Sequence, residues 1–161
     1  MSPPRLGVAL LFALAPAGLP AQGVGPVVIE WGVHATVTAV DSSRIGAGAG
    51  PRVALRSLGG TRAAVSFAAG VLRDSLNARA EAAVEYQLSP RRAGRLGIYF
   101  GGGLTGVVGA GRGGYLLLYV GLENSPGLPG GWALEAGLGG GFRVRAAYHW
   151  RKFPRGWRPQ R

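Results

Sequence analysis

A chain of 161 residues has the length of one domain, and its 30 glycines argue against helices, because each glycine inside a helix costs roughly 1 kcal/mol against alanine. The absence of cysteine excludes a disulfide framework and thiolate metal sites. Lys and Arg number 18 against 7 Asp and Glu, a formal charge of +11, so the placement of the arginines decides whether a polyanionic partner is implied.

The chain opens with "MSPPRLGVALLFALAPAGLPAQ": Arg5, then an apolar stretch from Leu6 to Leu19, then Leu19-Pro20-Ala21. This is the form of a secretory signal peptide, with cleavage predicted after Ala21. A retained anchor fits less well, because the run contains Pro16 and falls short of the ~20 residues that a spanning helix needs. Residues 1–21 are therefore set apart from the fold. No later run is both long and apolar enough for a spanning helix; "AAVSFAAGVL" and "LGIYFGGGLTGVVGAG" are too short or too rich in glycine.

From residue 27 onward the pattern has period two, broken by turn chemistry. The first predicted strand, 27–40, sets Ile29, Trp31, Val33, Ala35 and Val37 against Glu30, Gly32, His34, Thr36 and Thr38. "DSSR" turns it into the second, 44–58, with Ile45, Ala47, Ala49, Val53 and Leu55 opposing Arg44, three glycines, Arg52 and Arg56. Pro51 lies inside this strand and removes a ladder donor, which predicts a bulge or break. After the tight-hairpin signal Gly59-Gly60, the third strand, 61–73, opposes Phe67 and its apolar neighbours to Arg62, Ser66 and small residues. "DSLN" is read as the turn into the fourth, 78–88, where Ala82, Val84, Tyr86 and Leu88 oppose Arg79, Glu81, Glu85 and Gln87.

"SPRRAG" leads to the fifth strand, 95–108, with Leu96, Ile98, Phe100 and Leu104 against Arg95, Tyr99, Thr105 and glycines. The sixth, 115–123, sets Leu116, Leu118, Val120 and Leu122 against Tyr115, Tyr119, Gly121 and Glu123. "NSPGLPGG" precedes the seventh, 132–138, where Trp132, Leu134, Ala136 and Leu138 oppose Glu135 and Gly137. The eighth, "FRVRAAYHWRKF" (142–153), has Phe142, Val144, Ala146, Tyr148 and Trp150 on one side and Arg143, Arg145, His149 and Arg151 on the other. Eight strands joined by hairpin-sized connections predict an all-β, antiparallel up-and-down meander, and closing it into a barrel over residues 22–153 removes both edges. Residues 154–161 form a short basic tail.

The less apolar faces hold mostly Gly, Ala, Ser and Thr with scattered Arg, Glu, Tyr and His. Glycine covers nothing on a water-facing strand, whereas a narrow eight-stranded lumen needs small residues beside large ones. All five glutamates (Glu30, Glu81, Glu85, Glu123, Glu135) share that phase with Arg52, Arg56, Arg62, Arg79, Arg95, Arg143, Arg145 and Arg151, and these define a predicted lumen charge network in which buried charges pair. The opposite faces form an apolar belt, Trp31, Phe67, Phe100, Leu116, Leu118, Val120, Trp132, Tyr148 and Trp150 among it, with aromatics toward strand ends. An arginine aimed at lipid near the midplane would cost roughly 2 to 4 kcal/mol, so the basic phase is read as inward and the belt as lipid-facing.

With these features the chain resembles the small eight-stranded outer-membrane barrels of the OmpX and OmpA transmembrane-domain type, over residues 27–153 and including the aromatic final strand "AAYHW". The resemblance implies a transmembrane barrel in the outer membrane of a Gram-negative-type bacterium, partnered by outer-membrane lipid and, during biogenesis, by the barrel assembly machinery. It implies a structural, monomeric protein with a charge-plugged lumen and no cofactor. The chain departs from that pattern in continuing into "PRGWRPQR" and in having inner connections as long as its outer ones.

No catalytic or metal site is expected. His34 and His149 fall in the lumen phase, and Ser66 has no outward histidine to activate it. The glycine strings lack the P-loop Lys-Ser/Thr. Nucleic acid is disfavoured because most arginines alternate with apolar residues. Arg91, Arg92, Arg151, Lys152, Arg155, Arg158 and Arg161 are expected to share one rim, where anionic headgroups would contribute up to ~1 kcal/mol per residue. The alternatives are a soluble secreted lipocalin-like barrel holding a small apolar ligand, which requires the belt inward, and a narrow outer-membrane pore.

Overall fold

The computed structural model describes residues 26–88, 90, 95–109 and 111–158. The predicted signal peptide lies outside them, as do Arg91, Arg92 and Arg161. The described residues form β1 (Val27–Asp41), β2 (Arg44–Ser57), β3 (Thr61–Leu72), β4 (Ser75–Gln87), β5 (Leu96–Gly109), β6 (Gly113–Asn124), β7 (Gly130–Leu138) and β8 (Phe142–Lys152), with no helix among them. Each strand pairs antiparallel with the next, and β8 pairs with β1, which closes an eight-stranded barrel.

Local chemistry explains the turns. In the β1–β2 hairpin the Asp41 carboxylate accepts from the Ser43 N–H and Oγ at 2.9 Å each and from Arg44 Nε at 2.5 Å, an Asx-type closure. The β3–β4 hairpin is tighter than "DSLN" predicts. Arg73 and Asp74 take φ of 49° and 59°, the two positive values of a two-residue type I′ turn. Ser75 and Leu76 are therefore already paired, with Leu72 and Val71.

Pro51 makes no bulge. It faces Val33 in unbroken register with β1, while pairing with β3 lapses only between Ala49↔Ala69 and Arg52↔Ser66 and then resumes in the same register. The missing N–H costs local rungs on one side, and the extended backbone suits proline without a shift.

The connections are unequal at the two ends. The start of β1, the end of β8 and the longer connections (88–95 and 125–129) lie at one end, and the other end carries short hairpins. At the terminal end the β6–β7 connection turns into the barrel mouth. Ser125, with φ of 49°, Pro126 and Gly127 are buried. Trp157 donates from Nε1 to the Gly127 carbonyl at 3.1 Å and stacks on Phe153 with ring centroids 4.6 Å apart, so loop and tail together cap this end.

Candidate functional site, an ionic lumen

Period-two alternation puts one face of each strand on the barrel axis, and that face carries the charges. Glu30, Glu81, Glu85, Glu123, Glu135, Arg52, Arg56, Arg62, Arg143, Arg145 and Arg151 are all buried, with Arg56, Arg62 and Arg143 at 0% exposure. Arg79 is half-buried at the hairpin end of this array. Arg95 stands apart from the predicted network: it is exposed in the bend before β5. It immediately precedes β5, and although its carbonyl accepts from the Ser125 N–H at 3.0 Å, its side chain stays outside the array.

The array is built of shared carboxylates. Arg62 bonds three of them, Glu85 through Nε and both Glu30 and Glu123 through Nη1 at 2.9 Å. Arg52 joins Glu85 to Glu135, the latter at 2.9 Å. Arg143 spans Glu81 at 2.7 Å and Glu135 at 3.2 Å, and Arg145 donates to Glu81 and, through Nε, to Thr36 Oγ1 at 3.1 Å. Arg151 reaches Glu123 at 2.5 Å, and Arg56 lies 3.1 Å from Glu30. Each carboxylate thus meets more than one guanidinium, the geometry under which Coulomb attraction offsets desolvation in a poorly hydrated interior. Arg56 and Arg62 sit directly across from one another, and their like charges are tolerated because Glu30 and Glu123 lie between them.

Neutral side chains complete the packing. Tyr99 and Tyr119 donate to Glu135, at 3.0 Å, and to Glu85. Guanidinium groups lie over both rings, Arg62 at 4.8 Å from the Tyr99 centroid and Arg143 at 4.9 Å from that of Tyr119, a favourable cation–π arrangement. Gln87 accepts from Arg56 at 2.6 Å, and Ser66 donates to Glu81 at 3.2 Å. His34 and His149 are buried on the same face, and neither ring nitrogen of either has a protein hydrogen-bond partner. Leu117 also turns inward, beside Tyr99, Tyr119, Ala133 and Ala147. Its position opposite Leu116 and Leu118 in the alternation was a sequence signal for this, obscured by the run of three leucines.

The capping loop contributes backbone carbonyls. Arg56 donates to Pro126 O at 2.8 Å and Arg151 to Leu128 O at 3.0 Å. Arg151 is consequently part of the interior and not of the predicted basic rim; a carbonyl and a carboxylate hold its guanidinium inside. Lys152, Arg155 and Arg158 remain exposed there.

The opposite face of every strand is the exterior. Trp31, Phe67, Phe100, Leu116, Leu118, Val120, Trp132, Tyr148 and Trp150 are all exposed, from 41% at Trp132 to 75% at Leu116. Tyr86 and Phe100 pair on β4 and β5 with ring centroids 5.7 Å apart, Phe67 lies on β3 and Phe142 at the hairpin end of β8, while Trp31, Trp132, Tyr148 and Trp150 form one cluster. Trp31 faces Trp150, Trp132 faces Tyr148, and the Tyr148 and Trp150 rings meet edge to face at 5.0 Å. Register puts them on the adjacent strands β7, β8 and β1 near the terminal end.

Two inward glycines leave room for the tyrosines. A Cβ on Gly121 would lie 2.2 Å from Tyr99 Cζ, and one on Gly101 2.6 Å from Tyr119 Cζ. Because the Tyr99 ring is held by Glu135 and Arg62, Gly121→Ala is expected to destabilise the barrel by about 1–3 kcal/mol, an overpacking cost. Gly114→Ala on the same strand meets nothing within 4 Å and is expected to be near neutral. Denaturant midpoints of the two variants check the contrast.

The fold and its interior define a small closed antiparallel β-barrel with an ionic core and an apolar surface. No protein-family model, curated protein or solved structure matches the chain.

Proposed function

We propose that this chain is a small structural β-barrel of the outer membrane, of the OmpX and OmpA transmembrane-domain type, exported by its first 21 residues and without catalytic activity. The observation that carries this reading is the inversion of polarity: guanidinium and carboxylate groups fill the axis while Leu, Val, Phe and Trp cover the outside. Soluble monomers rarely expose contiguous apolar patches beyond a few hundred Å², and here the apolar face continues through all eight strands of the closed sheet. A closed barrel satisfies its backbone internally, as hydrocarbon requires. Strands of 9 to 15 residues match the roughly 9–11 needed to cross a bilayer at a tilt.

The filled axis supports a plugged barrel over a pore, and the lipocalin-like alternative would need an apolar cavity where the arginines and glutamates lie. Ser66 is engaged with Glu81, and both histidines are enclosed on the inner face, which supports a non-catalytic role. In this reading the termini and their cap face the periplasm, the partners are outer-membrane lipid and, during biogenesis, the assembly machinery, and the protein is a monomer.

Expression of the full chain in a Gram-negative host followed by fractionation tests it. The protein is expected in the outer-membrane fraction, resistant to urea or carbonate washing and released by detergent. Recovery as a soluble protein from the periplasm or medium would overturn it.

A further inference from the structure

The charges along the axis do not balance. Among the described residues, Arg52, Arg56, Arg62, Arg79, Arg143, Arg145 and Arg151 meet Glu30, Glu81, Glu85, Glu123 and Glu135, an excess of two arginines over glutamates. The imbalance shows at the hairpin end. There Arg79, Arg143 and Arg145 share Glu81 and Glu135, and Glu135 is also bound by Arg52.

Arg79 makes the fewest hydrogen bonds of them among the described residues. Its hydrogen bond is from Nη1 to the Gly139 carbonyl at 2.7 Å, and its approach to Glu81 is 3.6 Å. Its Nε and Nη2 donors make no hydrogen bond among the described residues. The side chain lines a cavity of about 70 Å³ at the hairpin end, together with Thr36, Thr38, Asn77 and Tyr115, room for a few waters or one small oxyanion. Arg44, on the same wall, is already held by Asp41. Glu81, the nearest carboxylate, is occupied by Arg143 and Arg145.

We propose that this cup binds a small oxyanion of the phosphate class, held by the free donors of Arg79 with Thr38 and Asn77 as neutral partners. A planar guanidinium with unused N–H groups, in a recess partly shielded from water, is the arrangement that recognises such an anion. The exposed Arg73 and Arg112 near the same hairpins draw anions toward the opening. The cup lies on the inner face, so the inference rests on the closed barrel and not on membrane placement.

The test uses the full chain folded in detergent micelles, with inorganic phosphate exchanged for chloride at constant pH and ionic strength. A saturable rise in melting temperature with broadening of the ³¹P resonance is expected, and Arg79→Gln is expected to weaken binding about tenfold or more. Asn77→Glu places a tethered carboxylate in the cup; it is expected to raise the melting temperature in chloride and to abolish the response to phosphate. Absence of a saturable response in the unmodified chain, or a response undiminished in Arg79→Gln, would overturn the proposal. If Arg79→Gln does not fold, a phosphate response retained in Asn77→Glu overturns it equally.

Discussion

Replacing Arg62 by methionine is expected to cost about 3–5 kcal/mol of unfolding free energy, the cost of removing one partner from a buried ionic array. Arg62 is fully buried, bonds Glu30, Glu85 and Glu123, and stacks over Tyr99. Its loss leaves three carboxylates competing for Arg52, Arg56 and Arg151. Methionine fills much of the volume without charge, so the loss reports electrostatics more than a cavity. Glu85→Gln in the same molecule neutralises one of the carboxylates that Arg62 had paired, and the double variant is expected to be more stable than the sum of the two single changes allows. Urea unfolding of protein refolded into vesicles or micelles measures the cycle. Arg44→Met serves as the control: its partner Asp41 is on the surface, where ion pairs are weak. A loss at Arg62 no larger than that at Arg44 would mean that water reaches the axis and screens the network.

The second large effect is on the exterior. Leu118 lies midway along β6, is 62% exposed and faces Leu138 on β7. If lipid covers this face, Leu118→Arg is expected to cost about 2–4 kcal/mol in vesicles, because a guanidinium at the bilayer midplane must deform the membrane or drag water to it. On a surface bathed in water the same change would fall within about 0.5 kcal/mol. Lys152→Arg, at the rim, is expected to be neutral in either setting. Unfolding of the three proteins in vesicles separates the readings, and a neutral Leu118→Arg would count against the membrane placement proposed above.

Several elements were legible in the residues alone and several were not, for reasons that differ. Alternation is a local property, so the eight strands and their inner and outer faces follow from neighbours two positions apart. Turn boundaries were less legible: "DSLN" is polar enough to suggest a four-residue turn, yet backbone geometry at Arg73 and Asp74 completes the reversal in two. Pro51 signals a lost donor, but nothing local tells that its neighbours continue in register on both sides of the gap. Arg95 shares the phase of the inward arginines but sits at the mouth of the barrel, one residue before β5, where its side chain is exposed, so phase alone misplaces it. The turn of Ser125–Gly127 into the mouth and its contact with Trp157 join segments 30 residues apart, and no periodic signal marks such a contact.

The residues by themselves determined that this chain alternates, that its charges occupy one phase and its large apolar side chains the other, and that hairpins join successive strands. These are consequences of a two-residue repeat and of turn chemistry. Only the tertiary structure decided which arginine meets which glutamate, because closure of the sheet sets the stagger between strands. That stagger brings Arg145 to Thr36 across 109 positions and Arg62 to Glu123 across 61. It also decided that one end is capped by loop and tail while the other retains a recess beside Arg79.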